Sequence, residues 1–221
     1  GKKNLYGFNY DISSDPSSSA FLVALTLLNK NSKLIIKNIN CNPTRMGFIN
    51  ILKEKMNAKI KFRNLKKKSS GEIIGDIIIK SSTLKAINCP KKIVPLLIDE
   101  FPILFIIAAV TNGVSIFRGI GELRNKESDR IKSMEEILNK IGIKTISTSN
   151  SLKIFGNPNV KVKKIINVYP KGDHRIAMSW AIFAILFGNI FKIHNFETVN
   201  TSFPGFASLI KILGGKIEIK K

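Results

Sequence analysis

Three stretches of the chain are apolar on every helical side: Ala20–Leu28, Phe101–Thr111 and Ile176–Phe187. A helix without a polar face must be enclosed by the rest of the protein, so the pattern predicts three buried helices. Residues able to cap a helix precede each of them, in Ser13–Ser19, Asp99-Glu100 and Asp173-His174-Arg175. Turns at Asn29–Ser32, Asn112-Gly113 and Gly188 follow, and then short runs that predict strands at Leu34–Ile39, Val114–Arg118 and Ile190–His194.

A second, amphipathic helix comes after each of those strands. Cys41–Arg45 opens one that runs to Met56, with Asn57 as its stop. Gly121–Arg130 opens another, on which Ile131, Met134, Leu138 and Ile141 recur on one face before Gly142. Asn200–Pro204 opens the last, which ends at Leu213 before Gly214-Gly215. Further strands are predicted at Lys59–Phe62, Gly75–Ser81, Ile143–Ile146, Ser151–Phe155, Val160–Val168 and Lys216–Lys220, with Lys66–Ser70 a solvated basic loop and Thr83–Ile98 a connector. The order of elements repeats three times, over about 13–82, 83–156 and 157–221, after an incoming extended segment at 1–12. This predicts an α/β (α+β) domain in which three central helices are wrapped by amphipathic helices and sheets. If the units are related by a pseudo-threefold, the three polar helix starts emerge on one face, where helix dipoles favour anions.

Composition narrows this picture only a little. The 221 residues, 44% hydrophobic, suffice for a sizeable core, and 36 Lys and Arg against 15 Asp and Glu leave a net charge of +21. Such a charge attracts polyanions and phosphorylated ligands alike. The lysines are scattered through every segment, and most of the 14 Phe lie in apolar runs rather than beside basic clusters, so a nucleic-acid-binding module is only an alternative reading. The longest apolar runs fall short of the roughly 18 residues that span a bilayer. Cys41 and Cys89 form no metal-binding or disulfide spacing, and with no leader pattern at the start the default expectation is a cytoplasmic protein with reduced thiols.

The segment Gly121–Arg130 holds six ionisable residues in ten. If the first turn of its helix starts near Lys126, then Lys126, Glu127 and Arg130 share one face at a positive helix end, a place to hold an anion beside a carboxylate. The common face would add Asp99, Asp173, Arg175, His174 and Arg45. Guanidinium forks grip carboxylate or phosphate, and a carboxylate nearby can move a proton, so the set suits proton transfer on an anionic substrate. Singly, each residue also reads as something plainer: Asp99 and Asp173 as caps, His174 as a hydrogen-bonded structural group, Arg130 as a salt-bridge partner.

Taken in order, Asp15–Phe21, Asn42–Gly47, Ser81–Lys85, Ile98–Pro102, Glu122–Arg130, Asp173–Ser179 and Thr201–Pro204 resemble the C-terminal domain of the 5-enolpyruvylshikimate-3-phosphate synthase family of enolpyruvyl transferases. The resemblance implies one of two domains, an inside-out barrel of three βαβαββ-like units. It implies transfer of the enolpyruvyl group of phosphoenolpyruvate to the 5-hydroxyl of shikimate 3-phosphate, with loss of phosphate and with no metal or organic cofactor. By the same carry-over, Asp99 accepts or positions the hydroxyl proton, Glu127 protonates the enolpyruvyl methylene, and Lys126 neutralises charge beside the shikimate unit. Arg130 and Arg175 clamp the phosphoenolpyruvate carboxylate, His174 sits in the same shell, and Ser17 and Ser18 are further substrate contacts.

Two departures accompany the resemblance. Glu197 aligns where some members have a phosphate-binding lysine, and only one of the family's two domains is present. The expectation is therefore half an active site, inactive alone, with the missing N-terminal half as a partner in trans and with neither nucleic acid nor membrane as partners. A related transferase acting on a UDP-amino sugar, and a remnant that folds without doing chemistry, are the other readings.

Overall fold

A computed structural model of the chain describes residues 4, 6, 7, 9–162, 164–187 and 191–219. Helix α1 (Pro16–Leu28) starts at Asp15, whose carboxylate accepts the Ser18 amide at 2.8 Å. Strand β1 (Lys33–Asn40) follows, and a 3-10 turn Pro43–Arg45 leads into α2 (Gly47–Lys55). Strands β2 (Lys59–Lys67) and β3 (Ile73–Lys80) complete an antiparallel sheet of order β1-β3-β2. On either side of Asp76 the outer strands bulge, at Asn38 and Asn64, both in the left-handed region with φ of 53°. Asp76 holds both bulges, accepting the Asn38 amide at 3.0 Å and the Asn64 side chain at 2.7 Å.

The second unit repeats the plan. After β4 (Asn88–Cys89), a 3-10 run Lys91–Glu100 feeds α3 (Phe101–Ala109), every residue of which is buried. Strand β5 (Gly113–Arg118), a 3-10 segment Gly121–Asn125 and α4 (Arg130–Lys140) lead to the hairpin of β6 (Thr145–Thr148) and β7 (Ser151–Gly156), and the sheet order is β4-β5-β7-β6. In the third unit, β8 (Ile166–Val168) and β9 (Phe191–Ile193) pair in parallel around α5 (His174–Phe187). A 3-10 run Phe196–Thr201 and α6 (Phe206–Ile212) follow.

The three all-apolar helices pack on one another, and each also packs on strands of its own unit: α1 on β1 and β3, α3 on β7, α5 on β9. Hydrophobic burial drives this arrangement, because α1, α3 and α5 have no side that water could solvate. Trp180 and Phe183 of α5 lie against Phe191 of β9, as Phe101 and Phe105 of α3 lie against Phe117 of β5. The helices form the centre and the sheets the outside, and among the described residues the sheets stay separate rather than closing into one barrel. No helix among these residues is long and apolar enough to cross a membrane.

Several element boundaries differ from the sequence expectation, each for a local reason. The helix expected from Cys41 begins only at Gly47, because Pro43–Arg45 closes a separate 3-10 turn first. The expected basic loop at Lys66 is still strand, since Lys66 and Lys67 stay in register with Ile74 and Ile73. The connector Thr83–Ile98 contains β4 and most of a 3-10 run. The strand expected at Ile143 starts at Thr145, because the amides of Gly142 and Ile143 turn back to the carbonyls of Asn139 and Leu138 and close α4. Among the described residues, the only strand within Val160–Val168 is Ile166–Val168, and residues 216–219 take no strand pairing. Gly188, Ile190 and Lys220, and residues 1–3, 5 and 8 of the incoming segment, lie outside the described residues.

Two glycines test this packing. A Cβ on Gly156 would run into the carbonyl oxygens of Thr111 and Ala108 at the end of α3, whereas one on Gly142 meets open space and only the strain of φ +86°. Gly156→Ala should therefore cost about 3 kcal/mol and Gly142→Ala about 1–2 kcal/mol. The difference is read from urea unfolding midpoints, and equal losses would contradict the tight α3–β7 contact.

Candidate active site

Arg130, the first residue of α4, is 1% exposed, and its guanidinium is surrounded by carboxylates from three parts of the chain. Its Nε donates to Asp173 Oδ2 at 2.9 Å, Nη1 to Asp99 Oδ1 at 3.2 Å and Nη2 to Glu127 Oε2 at 2.6 Å. A guanidinium taken out of water needs such partners, because desolvation otherwise costs several kcal/mol, of order 5. Burial alone would lower the pKa of Arg130, but the bond and charge of Asp173, with Glu127 and Asp99, outweigh it and hold the value above normal.

The three acids are not equivalent. Asp173 is fully buried, and besides Arg130 it accepts Ser128 Oγ at 3.1 Å and the backbone amides of Arg175 and Ile176 at 3.0 and 3.3 Å. It thus caps α5 and pins the start of α4 to it. Asp99 and Glu127 keep side-chain exposures of 39% and 46%, so they form a rim above the buried arginine. Arg175, on the first turn of α5, reaches across to Asp99, donating to its backbone carbonyl at 3.2 Å and its carboxylate at 3.5 Å. Burial pushes the Asp99 carboxyl up, but Arg175 and Arg130, with Lys126 behind them, more than reverse this and hold it below its usual range.

The charged segment before α4 is arranged differently from the expectation. A helical first turn at Lys126 does not form; that residue is extended, and α4 starts at Arg130 behind Asp129 as cap. Asp129 accepts the Lys132 amide at 2.9 Å and Arg124 at 2.7 Å, while Arg124 also ties down the carbonyls of Thr148 and Ser149. The cap occupies the helix N-terminus, so an anion has to be held by the arginine side chains instead. Lys126 turns back to Glu122 at 2.9 Å, while Glu127 reaches forward to Arg130.

Asp99, Glu127, Arg130 and Arg175 are therefore in direct contact, with Asp173 beneath them. His174 joins this group as the first residue of α5. Burial and the neighbouring Arg175 lower its pKa, against the pull of Asp173 and Glu127, so the imidazole favours its neutral form at neutral pH.

Ser17 and Ser18 lie in an adjoining cluster at the start of α1. Ser18 is committed to capping, since both its amide and its hydroxyl donate to Asp15. Ser17 accepts Arg45 at 3.2 Å, and Arg45 also pairs with Asp15 at 2.6 Å. Glu100, which sequence reasoning treated only as a helix start, is buried, and that burial raises its pKa against the opposing pull of Ser17, Arg175 and Arg45. The position of Glu100, immediately before a continuous apolar run, was the available signal for its burial. Arg124, which braces the segment, was visible only as one charge among six.

Two predictions follow from the burial contrast and the shifted imidazole. Asp173→Ala strands the buried Arg130 and should cost about 3–5 kcal/mol, whereas Glu127→Ala at the half-exposed rim should cost under about 1 kcal/mol, both read by chemical denaturation. His174 should titrate below the ordinary 6.5 in an NMR pH series. Because the folded value lies below the unfolded one, its contribution to stability is full above the ordinary value and declines as pH falls from there through the folded value.

Comparison with known proteins identifies the family. Residues 1–210 match the family model described as EPSP synthase (3-phosphoshikimate 1-carboxyvinyltransferase). A 3-phosphoshikimate 1-carboxyvinyltransferase of Petrotoga mobilis is 40% identical over 209 residues, which cover 95% of this chain and 48% of the relative. One from Zymomonas mobilis is 41% identical over 208 residues, 93% of this chain and 46% of the relative. A solved EPSP synthase from Acinetobacter baumannii superposes with a TM-score of 0.88 at 37% identity, over 100% of this chain and 50% of that one. The enolpyruvyl transferase NikO from Streptomyces tendae, at 12% identity and a TM-score of 0.65, shares the fold. The chain spans about half the length of the curated relatives it matches. With a family match along nearly its whole length, the chain belongs to the EPSP synthase family.

Proposed function

We propose that this chain supplies one wall of the site of a 3-phosphoshikimate 1-carboxyvinyltransferase, which moves the enolpyruvyl group of phosphoenolpyruvate to the 5-hydroxyl of shikimate 3-phosphate and releases phosphate. The observation that carries this reading is the pair of rim carboxylates, Asp99 and Glu127, resting on the forks of Arg130 and Arg175. Asp173 fixes Arg130 through Nε, which leaves both Nη groups turned toward the rim. A substrate carboxylate binding to those Nη groups and to Arg175 displaces Asp99 and Glu127 from their counter-charges. Losing those cations raises the proton affinity of Asp99, so binding converts a weak base into a group fit for proton transfer.

In the reaction that follows, Glu127 in its carboxylic acid form delivers a proton to the methylene carbon as the 5-hydroxyl oxygen bonds to C2, and Asp99, as the carboxylate, takes the hydroxyl proton. The resulting tetrahedral intermediate expels phosphate as the bond from C2 to the phosphate oxygen breaks, Asp99 passes its proton to the leaving phosphate, and loss of a methyl proton to Glu127 restores the double bond. Lys126 and the two arginines stabilise the charge that develops, and neutral His174 donates or accepts a hydrogen bond in the same shell. Ser17 and Ser18 line the adjoining edge toward the sugar-like substrate.

In this reading residues 1–12 lead in from the facing domain and 13–221 form one domain of three units, about 13–82, 83–156 and 157–221. The facing domain completes the site and is the partner of this chain, covalently or in trans. We place the activity in the cytoplasm, a reading supported by the buried free thiols of Cys41 and Cys89.

The test is steady-state phosphate release from the two substrates. The chain alone should show no turnover, and turnover should appear when the facing domain is supplied. Asp99→Asn or Arg130→Lys should then reduce kcat/KM by about two to four orders of magnitude. Ordinary turnover by the isolated chain, or full activity in those variants, would overturn the proposal.

A further inference from the structure

The outer face of the first sheet carries a charge pattern that the site does not use. Lys33, Lys80 and Lys59 stand directly opposite one another across β1, β3 and β2. Like charges in directly opposed positions destabilise a sheet. The next row holds Ile35, Ile78 and Lys61, and beyond it Arg63 faces Asp76, with the charge of Lys37 close by. All six of these cations are exposed.

A lysine-rich composition does not account for the pattern, because the chain contains its own control. The second sheet, built on the same plan, turns outward Val114 and Phe155, then Ile116, Lys153 and Ile146, then Arg118, Ser151 and Thr148. With Lys144 beside Phe155, those rows hold three cations, and no two of them are opposed.

The edge of the first sheet adds a second observation. Among the described residues β2 pairs only with β3, so the other side of β2 presents unpaired backbone groups. Along it Lys59, Lys61 and Arg63 occupy every second position, about 7 Å apart for extended backbone. Another extended chain repeats its side chains at the same interval. Lysines on an open edge repel a second copy of the same strand, whereas acids at alternate positions of a partner strand meet them. No aromatic residue stands in these rows for a nucleic-acid base to stack on. Ile35 and Ile78 lie between charged rows and form no broad apolar surface for a bilayer.

We propose that this edge docks an extended acidic segment of a partner protein, which adds as a strand beside β2 and sets carboxylates at alternate positions over Lys59, Lys61 and Arg63. The proposal is independent of the transferase reading.

The full chain is titrated at physiological salt into a fluorescein-labelled peptide alternating Glu and Val, with anisotropy as the readout. Saturable binding is expected, together with slowed amide exchange along β2. Reversing Lys59, Lys61 and Arg63 to Glu, with folding checked by circular dichroism, should weaken binding roughly tenfold or more. Reversing the exposed helix lysines Lys132, Lys140 and Lys211 should leave it nearly unchanged. Equal loss in both triple variants, or equal binding of a peptide of the same composition with its acids contiguous, would overturn the proposal in favour of a mere net-charge effect. Tighter binding of a single-stranded oligonucleotide or of phosphatidylserine vesicles at this same edge would overturn it in favour of another partner class.

Discussion

The arrangement of this domain depends on keeping one guanidinium out of water. Arg130 is 1% exposed, and an ion so placed is tolerable only where opposite charge and hydrogen bonds replace its hydration. Its partners come from the run entering α3, from the segment just before α4 and from the start of α5. Each bond therefore fixes one element relative to another. The same bonds divide the acids into a buried one, Asp173, which holds the framework through Nε, and two partly exposed ones, Asp99 and Glu127, held at the rim through the Nη groups.

The convergence itself comes from the apolar helices. Because α1, α3 and α5 must all be enclosed, they pack on one another, and the polar residues that start them gather at neighbouring positions. The bonds of Arg175 to the carbonyl and the carboxylate of Asp99 are the visible seam, where a residue from the α5 start meets one from the run entering α3.

Much of this was legible along the chain. Three all-apolar runs, their caps and their stops place the central helices, and Asp99, Glu127, Arg130 and Arg175 do meet as their helix starts suggest. What was not legible turns on competition between neighbouring residues. Either Lys126 or Arg130 could open a helix, and Asp129 decides the matter by offering its carboxylate to the Lys132 amide. Asp173 looked like another acid of an exposed face. Only its tertiary neighbours, Ser128 and Arg130, reveal that it lies below that face. Strand limits were misplaced where pairing rather than pattern sets the end, as at Lys66, Lys67 and Ile143.

The spread of partners around Arg130 also bears on how three look-alike helices find their places. Glu127 is 3 residues away, but Asp99 and Asp173 are 31 and 43 residues away, on two different central helix starts. Hydrophobicity scarcely distinguishes α1 from α5, since each is apolar all round, and a collapsed chain could exchange them at little cost in buried area. Such an exchange would set the α1 start, with Asp15 already engaged by Ser18 and Arg45, where Asp173 belongs. Arg130 would then be buried without its Nε partner, at a cost of several kcal/mol, about the whole margin by which a domain is stable. The buried charge thus sets an energy difference between the native winding and one with α1 and α5 exchanged, a difference that the oily helices alone scarcely provide.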